Sequence, residues 1–292
     1  RRMNTLMRKK RRVSDLVLLG LIYLSAVFAL ALLIGIIVYV FAKGAHTISW
    51  TFLTTVTSSL KGTVGILGNI VNTLYIIVLT LLIATPIGVG SAIYLNEYAR
   101  PGKLVRMIEF TTETLAGIPS IVFGLFGMMF FGTTLGLKTS ILTGSFTLTI
   151  MILPLITRNT QEALKTVPDS YRSGALGMGA TKWYMIRTVL LPSAMPGILT
   201  GVILAIGRIV GESAALLFTS GSGRNLPKPG LTGFFEKFTQ SSGTLTIELY
   251  LQMQNGKYDT AFGIGCVLLV IVLGINFLAK FVAGKFDVNR KK

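Results

Sequence analysis

A chain of 292 residues with 51% apolar and only 13% charged residues has too little polar surface for a water-soluble globule, so its expected solvent is the bilayer. Its formal charge of +17 would suit a nucleic-acid binder only if the basic residues lined one face of a soluble fold. They cluster instead between apolar runs, which excludes nucleic acid as a partner and reads as the positive-inside bias of a membrane protein.

The chain starts with a basic tail, RRMNTLMRKKRR, and the apolar run behind it continues to about residue 42 without a small-residue cleavage site. It is read as an uncleaved first span rather than a signal peptide. Apolar runs long enough to cross a hydrocarbon core of about 30 Å then recur. Six spans are predicted, at about 16–42, 69–95, 107–131, 141–162, 193–219 and 259–281. Helices satisfy their own backbone groups in lipid, so the expected fold is an all-α membrane protein built as a six-transmembrane-helix bundle.

An even number of spans puts both termini on one side. That side holds twenty Lys and Arg residues and the opposite side seven, which orients the termini to the cytoplasm. The predicted organisation is a cytoplasmic basic tail over 1–15, a first span with its external loop over 16–68, a main membrane domain over 69–285, and a cytoplasmic tail over 286–292. Two long loops interrupt the main domain. Residues 163–190 face the cytoplasm, and Pro168-Asp169-Ser170 offers a break and a helix start there, so a short helix–turn–helix on the membrane surface is expected. Residues 220–257 lie outside and carry an amphipathic patch, Gly233 to Phe238, that docks a partner or caps the bundle.

Gly179, nine residues and then Val189-Leu190-Leu191-Pro192 match the spacing of the cytoplasmic "EAA" loop of bacterial ABC-importer permeases. The flanking Ala180-Thr181-Lys182-Trp183 and Pro196-Gly197-Ile198-Leu199-Thr200-Gly201 also resemble that family. Ser173-Gly174-Ala175 stands where Glu-Ala-Ala is usual, so any salt bridge of that Glu is missing. The resemblance implies that residues 168–188 form a coupling helix seated in a cleft of an ATP-hydrolysing subunit. ATP and Mg would then be bound by that partner, and this chain would hold no cofactor of its own.

A second resemblance narrows the family. Leu115 to Gly127 (LAGIPSIVFGLFG) and Gly207 to Ala214 (GRIVGESA) are similar to the PstA/PstC-type permeases of phosphate importers, and Leu216-Leu217-Phe218-Thr219 favours the PstA type. With the loop, the resemblance runs over most of residues 70–220. It implies a type I (MetI-like) importer permease in the bacterial inner membrane, working by alternating access. The implied partners are a PstC-like second permease subunit forming a heterodimer, two PstB-like ATPase subunits, and a PstS-like phosphate-binding protein on the outer face.

Arg208 carries its own argument. A guanidinium near mid-span costs about 2.5–3.5 kcal/mol on insertion scales, so it is expected to face a partner or a wet cavity. Glu212 lies one helical turn later, where the two can pair. The pair either neutralises itself to hold the bundle or belongs to a path for a phosphate dianion, which suits a fork of donors. Glu109 and Glu113 open the third span beside Thr111, Thr112 and Thr114. They line the cytoplasmic end of the path or are simply solvated. Arg158 and Glu162, leaving the fourth span, attract anion at the exit or anchor the helix.

Other features read as packing. Gly197-x3-Gly201 and Gly207-x3-Gly211 are expected to make the fifth span tightly packed. Pro86, Pro119 and Pro154 fall inside spans and can kink them. Cys266 lies in the last apolar run and is read as packing, while His46 and Trp50 read as interface anchors.

Catalysis by this chain is disfavoured. Gly132 to Thr139 comes near a phosphate-binding loop but lacks the glycine directly before Lys138 and lies on the external side, and no metal-ligand spacing exists. Two alternatives stay open: an importer permease for another oxyanion or solute, and a proton-coupled carrier using Arg208, Glu212, Glu109 and Glu113 as a relay. The carrier should show repeated halves with broken helices at matching positions, which the sequence lacks.

Overall fold

The computed structural model describes residues 13–58, 63–100 and 102–286. Residues 1–12 and 287–292, most of the two predicted tails, lie outside the described residues. Helix α1 (Val13–Gly44) is the first apolar run. Its most apolar stretch buries nothing against the rest of the described chain. It is tied down at its end by helix α13 (Tyr258–Phe286), where Tyr39 meets Phe262 edge-on at 5.7 Å and Cys266 Sγ donates to the Val40 carbonyl at 3.3 Å. The cysteine is fully buried there, as its apolar setting predicts.

Helix α2 (Trp50–Thr54) follows, started by Ser49, whose Oγ accepts from Phe52 N at 3.1 Å. A short antiparallel hairpin of β1 (Val56–Ser58) and β2 (Thr63–Ile66) fills what was read as plain loop, with Val56 opposite Ile66. Its Val and Thr residues suit a strand.

The second span is α3 (Leu67–Ile93), extended by π-helical turns over Tyr94–Tyr98. The fourth is α6 (Ile141–Lys165), capped by Ser140. It is the least apolar of the spanning helices and the most buried. The two facts are connected, because its Thr143, Ser145, Thr147, Thr149, Thr157 and Thr160 are all hidden among neighbouring helices instead of facing lipid. Thr147, for example, returns its hydroxyl to the Thr143 carbonyl at 2.7 Å. The main core joins α3, α6 and α9 (Leu191–Gly211) through Ile76, Ala84, Leu148, Ile152, Ala205 and Ile209.

Gly197 and Gly201 allow this contact. A Cβ at either would sit 2.5 Å from Ala163 Cβ or 2.7 Å from Asn159 Cβ, both on α6. Gly207 and Gly211 have nothing within 4 Å, so the second small pair packs against no described part of the chain, contrary to the expectation.

Two predicted spans are broken. The third, read as one helix over 107–131, consists of α4 (Lys103–Ala116) and α5 (Ser120–Gly127, continued by π-helical turns over Met128–Thr134), bent by 102°. Gly117 and Ile118 close short turns onto Thr114 and Leu115, and Pro119 is extended, with no N–H to continue the ladder. Among the described residues, five helices are long and apolar enough to span, or six with the bent pair as one. Pro86 and Pro154 stay within continuous helices. The fifth predicted span, 193–219, ends at Gly211, and α10 (Ala214–Thr219) restarts after a break at Glu212 and Ser213.

The predicted helix–turn–helix is present as α7 (Asp169–Gly177) and α8 (Lys182–Met185), which runs through π-helical turns at Ile186–Leu190 into α9. Gly179 turns the chain between them at φ +85°, where a side chain would be strained. The other long segment holds α11 (Leu231–Glu236) and α12 (Leu245–Gln254). Asn69 and Asn72 fasten it to α3, donating to the Gly243 carbonyl at 3.0 and 3.2 Å.

Candidate functional site

Two connected cavities lie between α4 and α6, at the end of the bundle where α6 passes into α7. The larger, about 780 Å³, is an open basin whose walls carry Lys103, Arg106, Glu109 and Glu113 from α4, and Arg158, Glu162 and Lys165 from α6. The smaller, about 100 Å³, shares Thr112, Glu113 and Arg158 with the basin. Its other walls are Ala116 of α4, Met151, Pro154 and Leu155 of α6, and Arg208 of α9. The bend after Ala116 swings α4 away from the line of α5 and leaves its Glu109 and Glu113 on the basin wall.

The structure thus brings together Arg208, Arg158, Glu113 and Glu109, which the sequence placed on three different spans. Arg158 donates through Nη1 to Glu113 Oε1 at 3.3 Å and through Nε to Glu162 Oε1 at 3.5 Å. All three side chains are more than 60% exposed, so each pair is weak, on the order of 1 kcal/mol or less. Glu113 is therefore not merely solvated but shares an arginine. Arg208 is exposed and forms no ion pair among the described residues.

The expected Arg208–Glu212 pair is not formed. Because α9 ends at Gly211, Glu212 has left the helical face on which the two would meet, with φ −80° and ψ 121°. Its Oε1 accepts from Ala215 N at 3.1 Å and so starts α10, while its carbonyl accepts from the Thr246 hydroxyl at 3.0 Å. Glu212 holds the break together, and Arg208 keeps its charge open to the cavity.

The coupling-loop residues divide by depth. Ala175 is buried and joins Leu164, Val167, Met185, Ile186 and Leu190 in a small second core, against which Val189 and Leu191 pack. Pro192 opens α9 within its first turn. Ser173, Gly174 and Gly179 are exposed. Ser173 turns its hydroxyl back onto the Asp169 and Ser170 carbonyls, at 3.1 and 3.3 Å, so it presents no charge outward. Around this core stand Tyr171, Leu176, Met178, Trp183 and Tyr184, all half or more exposed except Leu176 at 48%, with Met178 at 86%. These apolar side chains stand out as a rim on the loop that the sequence reading assigned to a partner contact; motif spacing did not say which of its side chains face outward.

Two buried charged groups were also missed. Glu248 of α12, 2% exposed, accepts from Arg224 Nε at 2.8 Å and from Gln252 Nε2 at 2.6 Å. Lys237, fully buried beyond α11, donates to the Asn225 carbonyl at 2.6 Å and has no carboxylate partner among the described residues. Burial pushes its pKa below the ordinary lysine value of 10.5. Between the lowered value and 10.5 the unfolded chain binds more protons than the folded one, so folding stability rises with pH through that window. Lys237→Met is expected to flatten this rise, which thermal melts of the purified wild type and variant across alkaline pH will read as a shrinking difference between the two.

A multi-pass membrane protein with an open, charged cavity between its helices and a helical loop with exposed apolar side chains has the form of a translocation subunit. Residues 84–290 match the family model described as "Binding-protein-dependent transport system inner membrane component", and the chain belongs to that family. The "Probable ABC transporter permease protein YqgI" of Bacillus subtilis is 34% identical over 93% of this chain and 96% of its own length. The "Phosphate transport system permease protein PstA" of Mycobacterium leprae is 32% identical over 97% of this chain and 92% of its own. Among solved structures, a bacterial alginate ABC transporter in complex with an alginate pentasaccharide-bound periplasmic protein aligns with a TM-score of 0.70. It is 15% identical, over 94% of this chain and 96% of the other, and shares the fold.

Proposed function

We propose that this chain is a PstA-type permease subunit of an ATP-driven phosphate importer. The observation that carries the reading is Arg208, an exposed guanidinium with no ion-pair partner among the described residues, in the wall of a small cavity that shares Arg158 and Glu113 with the basin. A permanently charged fork there can hold a phosphate dianion by paired hydrogen bonds. Arg158 offers the next position outward. Its two weak carboxylate contacts can be exchanged for an anion without moving the helix, and conduction needs such shallow binding. The similarity to the PstA of Mycobacterium leprae supports phosphate as the cargo.

In this reading both termini and residues 163–190 face the cytoplasm, where the rim around Met178 meets an ATPase subunit. That subunit binds ATP and Mg, and this chain is not itself catalytic. A PstC-like permease completes the path, with two PstB-like ATPases and a PstS-like binding protein on the outer face completing the complex. Glu109 and Glu113 keep the exit from trapping anion.

The test is to purify the whole complex and assay ATP hydrolysis with the binding protein presenting phosphate or sulfate. Phosphate is expected to stimulate and sulfate not. Equal stimulation by both refutes the phosphate assignment.

A further inference from the structure

Arg172, in the first turns of α7, binds more of the protein than any residue the motif names. Its Nε and Nη2 donate to Glu97 Oε1 at 3.3 and 3.0 Å. Nη1 donates to the Val167 carbonyl at 2.9 Å and to Asp169 Oδ1 at 3.0 Å, and Nη2 also reaches the Leu164 carbonyl at 2.9 Å. A guanidinium has five N–H groups, and five contacts are made. The main pair is largely buried, with side-chain exposures of 19% for Arg172 and 6% for Glu97. Glu97 lies in the π-helical turns that end α3, and Asn96 steadies it at 2.7 Å. Leu164 is in the last turn of α6, and Val167 follows it. One side chain therefore joins the ends of α3 and α6 to the start of α7.

The consequence is mechanical. A push on the rim of Met178, Trp183 and Tyr184 has a covalent route through α8 into α9. Its routes into α3 and α6 run through Arg172, through the Lys182 ammonium lying over the Tyr98 ring at 4.9 Å, and through the apolar contact around Ala175. Helix α6 matters here because Arg158 and Glu162 line the basin within about two turns of Leu164. Apolar packing alone can slip, whereas a buried fork with every donor used holds one geometry.

We propose that Arg172 is a positioning residue that makes α7 and the ends of α3 and α6 move as one body, so that displacement of the coupling loop reaches the cavity wall. The proposal rests on the reading of α7 as the ATPase contact. The experiment uses the complete transporter in proteoliposomes, with the phosphate-loaded binding protein inside or outside as required for uptake, and measures phosphate moved per ATP hydrolysed. Arg172→Met is expected to keep basal hydrolysis and to lose most of the stimulation by binding protein, lowering phosphate per ATP by about tenfold. Glu97→Gln, which keeps an acceptor but not the charge, is expected to fall between. An arginine that only holds α7 folded would reduce the amount of complex and leave the ratio unchanged, and that result overturns the proposal. If Arg172→Met does not assemble, Arg172→Lys decides: it keeps a charge toward Glu97 without the fork, and a wild-type ratio refutes the joint. A photo-crosslinking residue at Met178 separates the two layers. Capture of the ATPase with a normal ratio in Arg172→Met sinks the joint alone, whereas no capture in the otherwise unchanged complex sinks the coupling reading and the joint with it.

Discussion

Arg208→Gln is expected to abolish phosphate uptake while the complex still inserts and assembles. Glutamine keeps hydrogen-bond donors and much of the length, so the loss isolates the charge. Each hydrogen bond to a charged group is worth about 1.5–3 kcal/mol, so removing the fork from an anion held by two of them costs about a hundredfold or more in transport. Assembly should survive because Arg208 makes no ion pair with any described residue, and its removal leaves no carboxylate stranded. Had Arg208 and Glu212 formed a pair, the same substitution would have left a lone acid in the bundle and damaged folding. Radiolabelled phosphate uptake alongside membrane quantitation of the complex reads both quantities. Normal uptake defeats the path role, and lost assembly would mean that Arg208 is structural after all.

The second large effect concerns stability. Arg224→Met strands the carboxylate of Glu248, which is 2% exposed and would retain only the Gln252 contact. Breaking one partner out of a fully buried pair costs about 3–5 kcal/mol, most of it the cost of the uncompensated charge, and a smaller loss is expected here because Arg224 is 33% exposed. The variant complex should melt well below the wild type in detergent. Adding Glu248→Gln removes the charge and should restore most of the loss, because the two changes are not additive when the residues share one interaction. Melts of the two single variants and the double variant test this. A double variant less stable than Arg224→Met would show that the carboxylate itself, not its pairing, is what the fold requires.

How much was legible in the sequence depends on the range over which each signal acts. Spanning helices are long, and their apolar runs announce them locally; which one sits inside the bundle was not read, since the glycine pairs pointed to the fifth span whereas the Thr-rich α6 is the most buried. The bend at Pro119 was legible as one of three possible kinks, but not as the one that breaks its helix, because the apolar run continues across it as it does across Pro86 and Pro154. Glu212 was misplaced for a related reason: the i,i+4 rule presumes a helix, and α9 stops one residue too early. Arg158 with Glu113, 45 residues away, and Arg172 with Glu97, 75 residues away, are tertiary pairs that no spacing rule could match. The helix–turn–helix of residues 163–190 was legible because its breaks are local: Pro168 precedes α7, Gly179 turns the chain at φ +85°, and Pro192 stands in the first turn of α9. Arg172 was not, because its importance lies in what other segments bring to it.

The attachment of α1 bears on how the protein is made. Its contacts with the body run to α13, near the far end of the sequence, through Tyr39 with Phe262 and Val40 with Cys266. A ribosome delivers α1 long before α13 exists. Throughout that interval α1 must reside in the bilayer on its own apolarity, and the fold closes around it only when the late helix arrives.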